Sequence, residues 1–254
     1  MDLDIKGLRV LVTAGANGIG LAIARAFVGE GAKVHTCDVD RSALSALASS
    51  DPAITQTHCD VADRTAVGKL FEDAIKTLGG LDVLVNNAGI AGPTARVEEM
   101  HPEDWDRCID ICLTGQFNCT RLAVPHLRKS SNGSIVNLSS VAGLIGHGSL
   151  AAYCASKGGV RLLTKSVALH CARKGYNIRC NSVHPSFAET PMLQSMIASA
   201  RNPEKLAAGF AAAAPLGRLA QPIEIARMIL FLASDESAFT TGAEFVVDGG
   251  LTAA

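Results

Sequence analysis

The sequence predicts a single α/β domain, a doubly wound parallel sheet with helices on both faces. Three observations predict it. Short runs rich in Val, Ile and Leu alternate with longer stretches of helical periodicity. The connections are short, and strand–helix alternation of that kind gives right-handed crossovers and parallel pairing. Runs such as RVLVT (9–13) and LDVLV (81–85) are nearly continuous in apolar residues, which suits burial on both faces. The chain has 254 residues, 48% hydrophobic and 19% charged, an ordinary size for one such domain. No linker, repeat or low-complexity tract divides it, so the domain spans 1–254.

RVLVT (9–13) is the first expected strand, and 19–29 the helix after it. KVHTCD (33–38) is the second strand, followed by a helix at 42–48. ITQTHCD (54–60) comes next, then 64–78 with apolar residues at helical spacing. LDVLVNN (81–87) is the fourth strand. Residues 102–127 read as one long helix opened by His101-Pro102, since proline suits a first helical turn. SIVNLSS (134–140) is the fifth strand and 151–174 the next helix. NIRCNSVHP (177–185), a helix at 223–234 and AEFVVDG (243–249) complete seven strands. Segment 186–217 is Ala-rich, carries Met192, Met196 and Phe210, and follows a strand's carboxyl end. In a parallel sheet a small helical substrate lid sits there.

The net charge of −1 offers no basic surface for nucleic acid or anionic lipid. Residues 1–7 carry two acids and no apolar core, unlike a signal peptide. No uncharged apolar run reaches the roughly 18 residues of a membrane span. Eight cysteines are scattered without a C-x-x-C pair, which reads as reduced, mostly buried thiols in a cytoplasmic protein. Cys108 and Cys112 share a helix face, but two ligands do not make a zinc site, and no metal is expected.

After the first strand comes Thr13-Ala14-Gly15-Ala16-Asn17-Gly18-Ile19-Gly20, leading into a helix. Glycines let backbone approach a pyrophosphate, and a helix N-terminus offers N–H groups and positive dipole. Any tight turn also needs glycine, but here the strand, the helix and a later acid stand in the right order. That acid is Asp38, eighteen residues past Gly20. A carboxylate there accepts from both ribose hydroxyls of NAD and repels the 2′-phosphate of NADP. The alternative for Asp38 is an N-cap or turn residue; Arg41 nearby either meets a phosphate or is solvated.

Tyr153 and Lys157 are four residues apart in the 151–174 helix and project from one face. A free phenol has a pKa of about 10, and a neighbouring cation favours the phenolate. Such a pair can run general acid/base chemistry at an alcohol or ketone. A surface helix pair would show the same spacing.

Together these pieces resemble the short-chain dehydrogenase/reductase family over essentially the whole chain. The marks are the glycine motif at 13–20, Asn86-Asn87-Ala88-Gly89, Ser140, Tyr153-x-x-x-Lys157, His184-Pro185, Thr190-Pro191 and Val247-Asp248-Gly249-Gly250. The resemblance implies a Rossmann-like fold, a nicotinamide dinucleotide, which Asp38 makes NAD, and a homotetramer built through 102–128, 151–174 and the C-terminal strand. It implies that Tyr153 exchanges the substrate proton, that Ser140 binds the substrate oxygen, and that Lys157 binds the nicotinamide ribose and supports Tyr153. Gly15, Asn17, Gly18, Ile19 and Gly20 would hold the pyrophosphate. Asp60 and Val61 would meet the adenine; Asn87, Ala88 and Gly89 the ribose and nicotinamide; Pro185 and Thr190 the carboxamide side. A turn after a strand is the other reading of Asn86 and Asn87.

Two departures stand out. Ala14 occupies the place of the family's first glycine, and the turn survives the extra Cβ if its φ is negative. Cys112 stands where the family usually has an asparagine that helps order a relay water. A thiol hydrogen-bonds weakly, so a slower or more pH-sensitive proton step is expected, unless a backbone carbonyl holds the water unaided.

Residues 141–152 are small and apolar around one histidine. His147, Ser186, Phe187, Met192 and Met196 are the candidate substrate contacts, and apolar walls suit a hydrophobic ligand. The runs 169–179 and 182–185, with Met192, look like bacterial hydroxysteroid and cyclic-alcohol dehydrogenases, which implies an alicyclic or steroid-like secondary alcohol or ketone. One rival is a 3-oxoacyl-thioester reductase using NADPH. The other is a non-catalytic NAD-binding sensor or scaffold.

Overall fold

The computed structural model describes residues 3–253. Met1 and Asp2, part of the segment weighed as a signal peptide, and Ala254 lie outside the described residues. The elements run β1 (Arg9–Thr13), α1 (Gly18–Gly29), β2 (Lys33–Asp38), α2 (Arg41–Ser50), β3 (Ile54–His58), α3 (Arg64–Leu78), β4 (Val83–Asn86), α4 (Pro102–Ile109), α5 (Gly115–Leu127), β5 (Gly133–Leu138), α6 (Ala151–Arg173), β6 (Ile178–Pro185), α7 (Pro191–Ala198), α8 (Pro203–Ala213), α9 (Pro222–Ala233) and β7 (Glu244–Val247). All seven strands form one parallel sheet in the order β3-β2-β1-β4-β5-β6-β7.

Alternation along the strands splits the core in two. Val10 and Val12 face one layer with Ile23 and Phe27 of α1, Leu44 of α2, and Ile225 and Ile229 of α9. Leu11 faces the other, with Leu70 and Phe71 of α3, Leu127 of α5 and Cys171 of α6. Each fully buried Leu, Ile or Phe contributes about 1.5–3 kcal/mol. Double burial explains why β1 and β4 read as nearly continuous apolar runs, whereas β3, at the sheet edge and half-exposed, reads ITQTH. Arg9 donates to both carboxylate oxygens of Asp82, at 2.8 and 2.7 Å, and so pins the start of β1 beside that of β4. Strand order reverses at this pair, and the carboxyl ends of β1 and β4 open the crevice where such sheets take ligands.

The helix expected over 102–127 is interrupted. Between α4 and α5 the chain widens into a π-helical turn, Asp110–Thr114, where the Gly115 N–H reaches back five residues to the Asp110 carbonyl. Apolar periodicity continues through such a turn, so the sequence pattern does not reveal it; π turns of this kind concentrate at functional sites. The lid is two proline-opened helices, α7 and α8. Its base is tied by the Glu189 N–H to Ala220 and the Ala220 N–H to Phe187. No helix among the described residues is long and apolar enough to cross a membrane.

Candidate active site

The turn after β1 closes against β2 and β4. A Cβ on Gly15 would fall 2.0 Å from Thr36 Oγ1, and one on Gly20 would fall 2.0 Å from the Ala14 carbonyl. Gly18 has φ +54°, a left-handed geometry open to glycine. Asn17, at the N-cap of α1, makes no side-chain cap bond. The next two βα helices differ: Asp40 caps α2 and Asp63 caps α3. The first N–H groups of α1 therefore remain for an anion.

Asp38 closes β2 and is only 9% exposed. It is not the N-cap of α2, since Asp40 takes that place. Its carboxylate accepts from Ala16 N–H at 3.2 Å and Asp40 N–H at 3.1 Å, which aims it at the glycine turn. Arg41 is exposed in the first turn of α2. Asp60 accepts from the Ala62 N–H, while Val61 is buried and its carbonyl accepts from Asn118.

Ala14 overturns an expectation. Its φ is +51°, not negative, so the turn keeps its shape with an L-residue in the left-handed region. Asn87 supports it there: its Nδ2 donates to the carbonyls of Thr13 and Ala14, both at 3.0 Å. Thr13 Oγ1 in turn accepts from the N–H groups of Asn87 and Ala88. Asn86 is no turn residue either. It closes β4 fully buried and donates to Thr120 and Asn137, which itself donates to Thr164. This polar ladder crosses from α5 through two strands to α6.

Tyr153 and Lys157 lie in the first two turns of α6. Lys157 is 3% exposed, and its Nζ donates to the Leu138 carbonyl at 2.8 Å and lies 5.6 Å from the centre of the Tyr153 ring. Gln116, which sequence patterns did not flag, donates to the same carbonyl at 3.0 Å. Burial of Gln116 beside glycine and polar neighbours leaves no periodic signal. Ser139 Oγ donates to the Lys157 carbonyl at 2.8 Å, so the turn carrying Ser140 is fastened to α6. Ser140 opens a 3₁₀ turn, Val141–Gly143, and its Oγ accepts from the Ala142 N–H at 3.1 Å. A Cβ on Gly89 would sit 3.3 Å from Lys157 Nζ and 3.5 Å from Cys112 Sγ, so loop 87–90 lies against the lysine.

The Cys112 thiol is not idle in the widened turn. Its Sγ accepts from the Ile90 N–H at 3.3 Å and donates to the Ile90 carbonyl at 3.2 Å. Cys108, Cys112 and Ala152 form a small buried cluster against Ile90, Met100 and Tyr153.

Thr190 caps α7, and its methyl lies 3.4 Å from a Cβ built on Gly18, so the lid begins against the glycine turn. Pro185 is buried at the end of β6. Phe187 at the lid base packs against Phe210 of α8, with centroids 4.3 Å apart and the rings tilted by 33°. Met196 is half-buried; Met192 and His147 are exposed. Ser186 Oγ donates to the Asp248 carbonyl at 3.2 Å, so its hydroxyl hydrogen is engaged. Glu189, Arg201, Glu204 and Lys205 form the exposed face of the lid.

Known proteins resemble this chain over nearly its whole length. The family profile described as Enoyl-(Acyl carrier protein) reductase matches residues 13–252. The NADP-dependent (R)-specific alcohol dehydrogenase of Lentilactobacillus kefiri is 41% identical over 254 residues, covering 98% of each chain. The cis-4-hydroxycyclohexanecarboxylate dehydrogenase of Sinomonas cyclohexanicum is 42% identical over 246 residues, 96% of each chain. The 3-alpha-(or 20-beta)-hydroxysteroid dehydrogenase of Mycobacterium bovis is 41% identical over all of this chain and 92% of its own.

Proposed function

Since this chain belongs to the short-chain dehydrogenase/reductase family, a family of oxidoreductases, we propose that it moves a hydride between NAD(H) and a hydrophobic secondary alcohol or ketone, alicyclic or steroid-like. The observation that carries the reading is the buried Lys157 ammonium 5.6 Å from the Tyr153 ring, on the helix that faces the turn of Ser140. When bound, the nicotinamide supplies the hydride chemistry. The protein's own groups do the rest. Tyr153 takes the hydroxyl proton of an alcohol or returns it to a ketone. Lys157 holds positive charge beside the ring on which phenolate charge develops, and its Nζ would bind the nicotinamide ribose. Ser140 hydrogen-bonds the substrate oxygen.

Gly15, Asn17, Gly18, Ile19 and Gly20 hold the pyrophosphate at the uncapped N-terminus of α1. Asp38 accepts from the adenosine ribose, with Asp60 and Val61 at the adenine. Asn87, Ala88 and Gly89 line the ribose and nicotinamide, and Pro185 and Thr190 the carboxamide. Choice of NAD rests on Asp38, whose fixed carboxylate would face a 2′-phosphate. The Lentilactobacillus relative is NADP-dependent by name, so turnover with NAD and with NADP is the measurement that tests Asp38. The names of the Sinomonas and Mycobacterium relatives support a ring-bearing substrate. His147, Phe187, Met192 and Met196 are its proposed contacts, with Ser186 as wall rather than donor.

Exposed Trp105, Phe117, Leu162 and Leu169 on α4, α5 and α6 support assembly as a homotetramer, and eight free thiols support a reducing, cytoplasmic setting. The test is oxidation of cyclic, steroid and aliphatic alcohols with NAD and with NADP, alongside 3-oxoacyl-thioester reduction with NADPH. Tyr153→Phe should cost about 10²–10⁴-fold in turnover while NADH still binds. A Tyr153→Phe protein at full rate would refute the catalytic reading, and higher kcat/KM with NADP would refute the role given to Asp38.

A further inference from the structure

Beyond the sheet bond of Ser139 to Val183, Ser140 has a tie to β6 of its own. His184, the next-to-last residue of β6, is fully buried. Its Nδ1 lies 3.1 Å from the Ser140 carbonyl, and its Nε2 lies 2.8 Å from Ser182 Oγ. A carbonyl only accepts, so Nδ1 carries the hydrogen; Nε2 of the neutral ring then accepts from the Ser182 hydroxyl. Burial lowers the His184 pKa below its ordinary value, in keeping with a neutral ring. The following residue, Pro185, has its carbonyl 3.5 Å from Ser140 Oγ. One rigid ring therefore links the Ser140 backbone to the strand end against which the Ser140 hydroxyl lies. The remaining ties of Ser140 are local: its Oγ accepts from Ala142, and its carbonyl also accepts from the Gly143 N–H at 2.9 Å.

We propose that His184 is a positioning residue for Ser140, setting through its Nδ1–H bond the rotation of the 139–143 turn and so the direction in which the Ser140 hydroxyl meets the substrate oxygen. It touches no reacting atom. The proposal rests on the reading of Ser140 given above.

A double-mutant cycle tests it, with His184→Leu, Ser140→Ala and the double variant assayed on the best alcohol substrate. Misdirection of a reacting group by a fraction of an ångström to one ångström costs up to about 10²-fold, so His184→Leu should lower kcat about 10- to 100-fold. The KM for the dinucleotide should stay within about twofold, because only transition-state contacts are lost. In the Ser140→Ala background His184→Leu should change kcat by less than about twofold, since two residues acting through one contact are not additive. An equal loss in both backgrounds, or no loss in either, overturns the proposal. His184→Asn and His184→Gln guard against a variant that does not fold. Asn reaches the Ser140 carbonyl from the δ position and should recover most of kcat, whereas Gln should not; equal rates for the two overturn the proposal. A Ser140→Ala enzyme at full rate would remove the role of Ser140 as well, whereas a slow Ser140→Ala with an additive His184→Leu removes this inference alone.

Discussion

Replacing Ala14 with glycine should stabilise the protein, while the same change two residues later should do the opposite. Ala14 sits at φ +51°, where an L-residue costs about 1–2 kcal/mol. Glycine removes that cost. Against it stand about 0.4–1 kcal/mol for the wider unfolded ensemble of glycine and about 0.4 kcal/mol for half of one buried methyl. The balance is a gain of about 0.5 kcal/mol, or about 1–2 °C in Tm for a domain of this size. Ala16 has no positive φ and is 4% exposed, so Ala16→Gly relieves nothing. It should lose about 1–2 kcal/mol from the methyl and the chain entropy together. Urea unfolding of the three proteins at one fixed concentration, without cofactor, reads both changes. Because the Ala14 carbonyl still accepts from Asn87 in the glycine variant, the turn itself persists. The reasoning fails if Ala14→Gly destabilises as much as Ala16→Gly.

His35 lies buried on β2 between Thr55 and Thr57, 2.8 and 3.1 Å from their hydroxyls. Burial lowers its pKa to about 4, with Asp73 opposing. The unfolded imidazole binds protons from about pH 6.5 downward, but the folded one does not until about pH 4. Stability from this site is therefore full above about pH 6.5 and falls by about 1.4 kcal/mol per unit below it, reaching about 3 kcal/mol near pH 4. His35→Gln should flatten the urea midpoint between pH 7.5 and pH 5 relative to wild type; parallel curves would contradict it. Cys112→Asn offers Ile90 the same two-way pair of bonds with better donors and acceptors. Higher turnover or a broader pH profile is expected, and an unchanged profile would show that the thiol limits nothing. Cys112→Ala deletes both bonds and should cost about 1–3 kcal/mol of stability in the same urea assay.

The pattern of strands and helices was legible because it is local. Val10 to Val12, the 64–78 periodicity and the 33–38 run each carry their signal within a few residues, and the elements fall where that signal ends. The glycine turn and the i, i+4 spacing of Tyr153 and Lys157 are equally local. Other features answer to neighbours far along the chain. Whether Asn86 belongs to the strand or to a turn after it is settled by its partners, Thr120 and Asn137, which lie on α5 and β5. The π-helical turn is invisible to periodicity, and the partner of its Cys112, Ile90, lies 22 residues upstream.

By itself the sequence determined the order of the seven strands, the anion-ready turn after β1, the acid at the end of β2 and the helix that carries Tyr153 and Lys157. Short-range stereochemistry decides those: side-chain period, glycine placement and helix spacing. Only the tertiary structure decided that Ala14 sits at positive φ, that Asn87 braces it, and that Gln116 and Lys157 share the Leu138 carbonyl. It also decided that His184 reaches the Ser140 backbone. The hydrogen bonds among them join residues 19 to 73 positions apart. Such contacts depend on where the sheet places its strands, and no window of sequence contains that information.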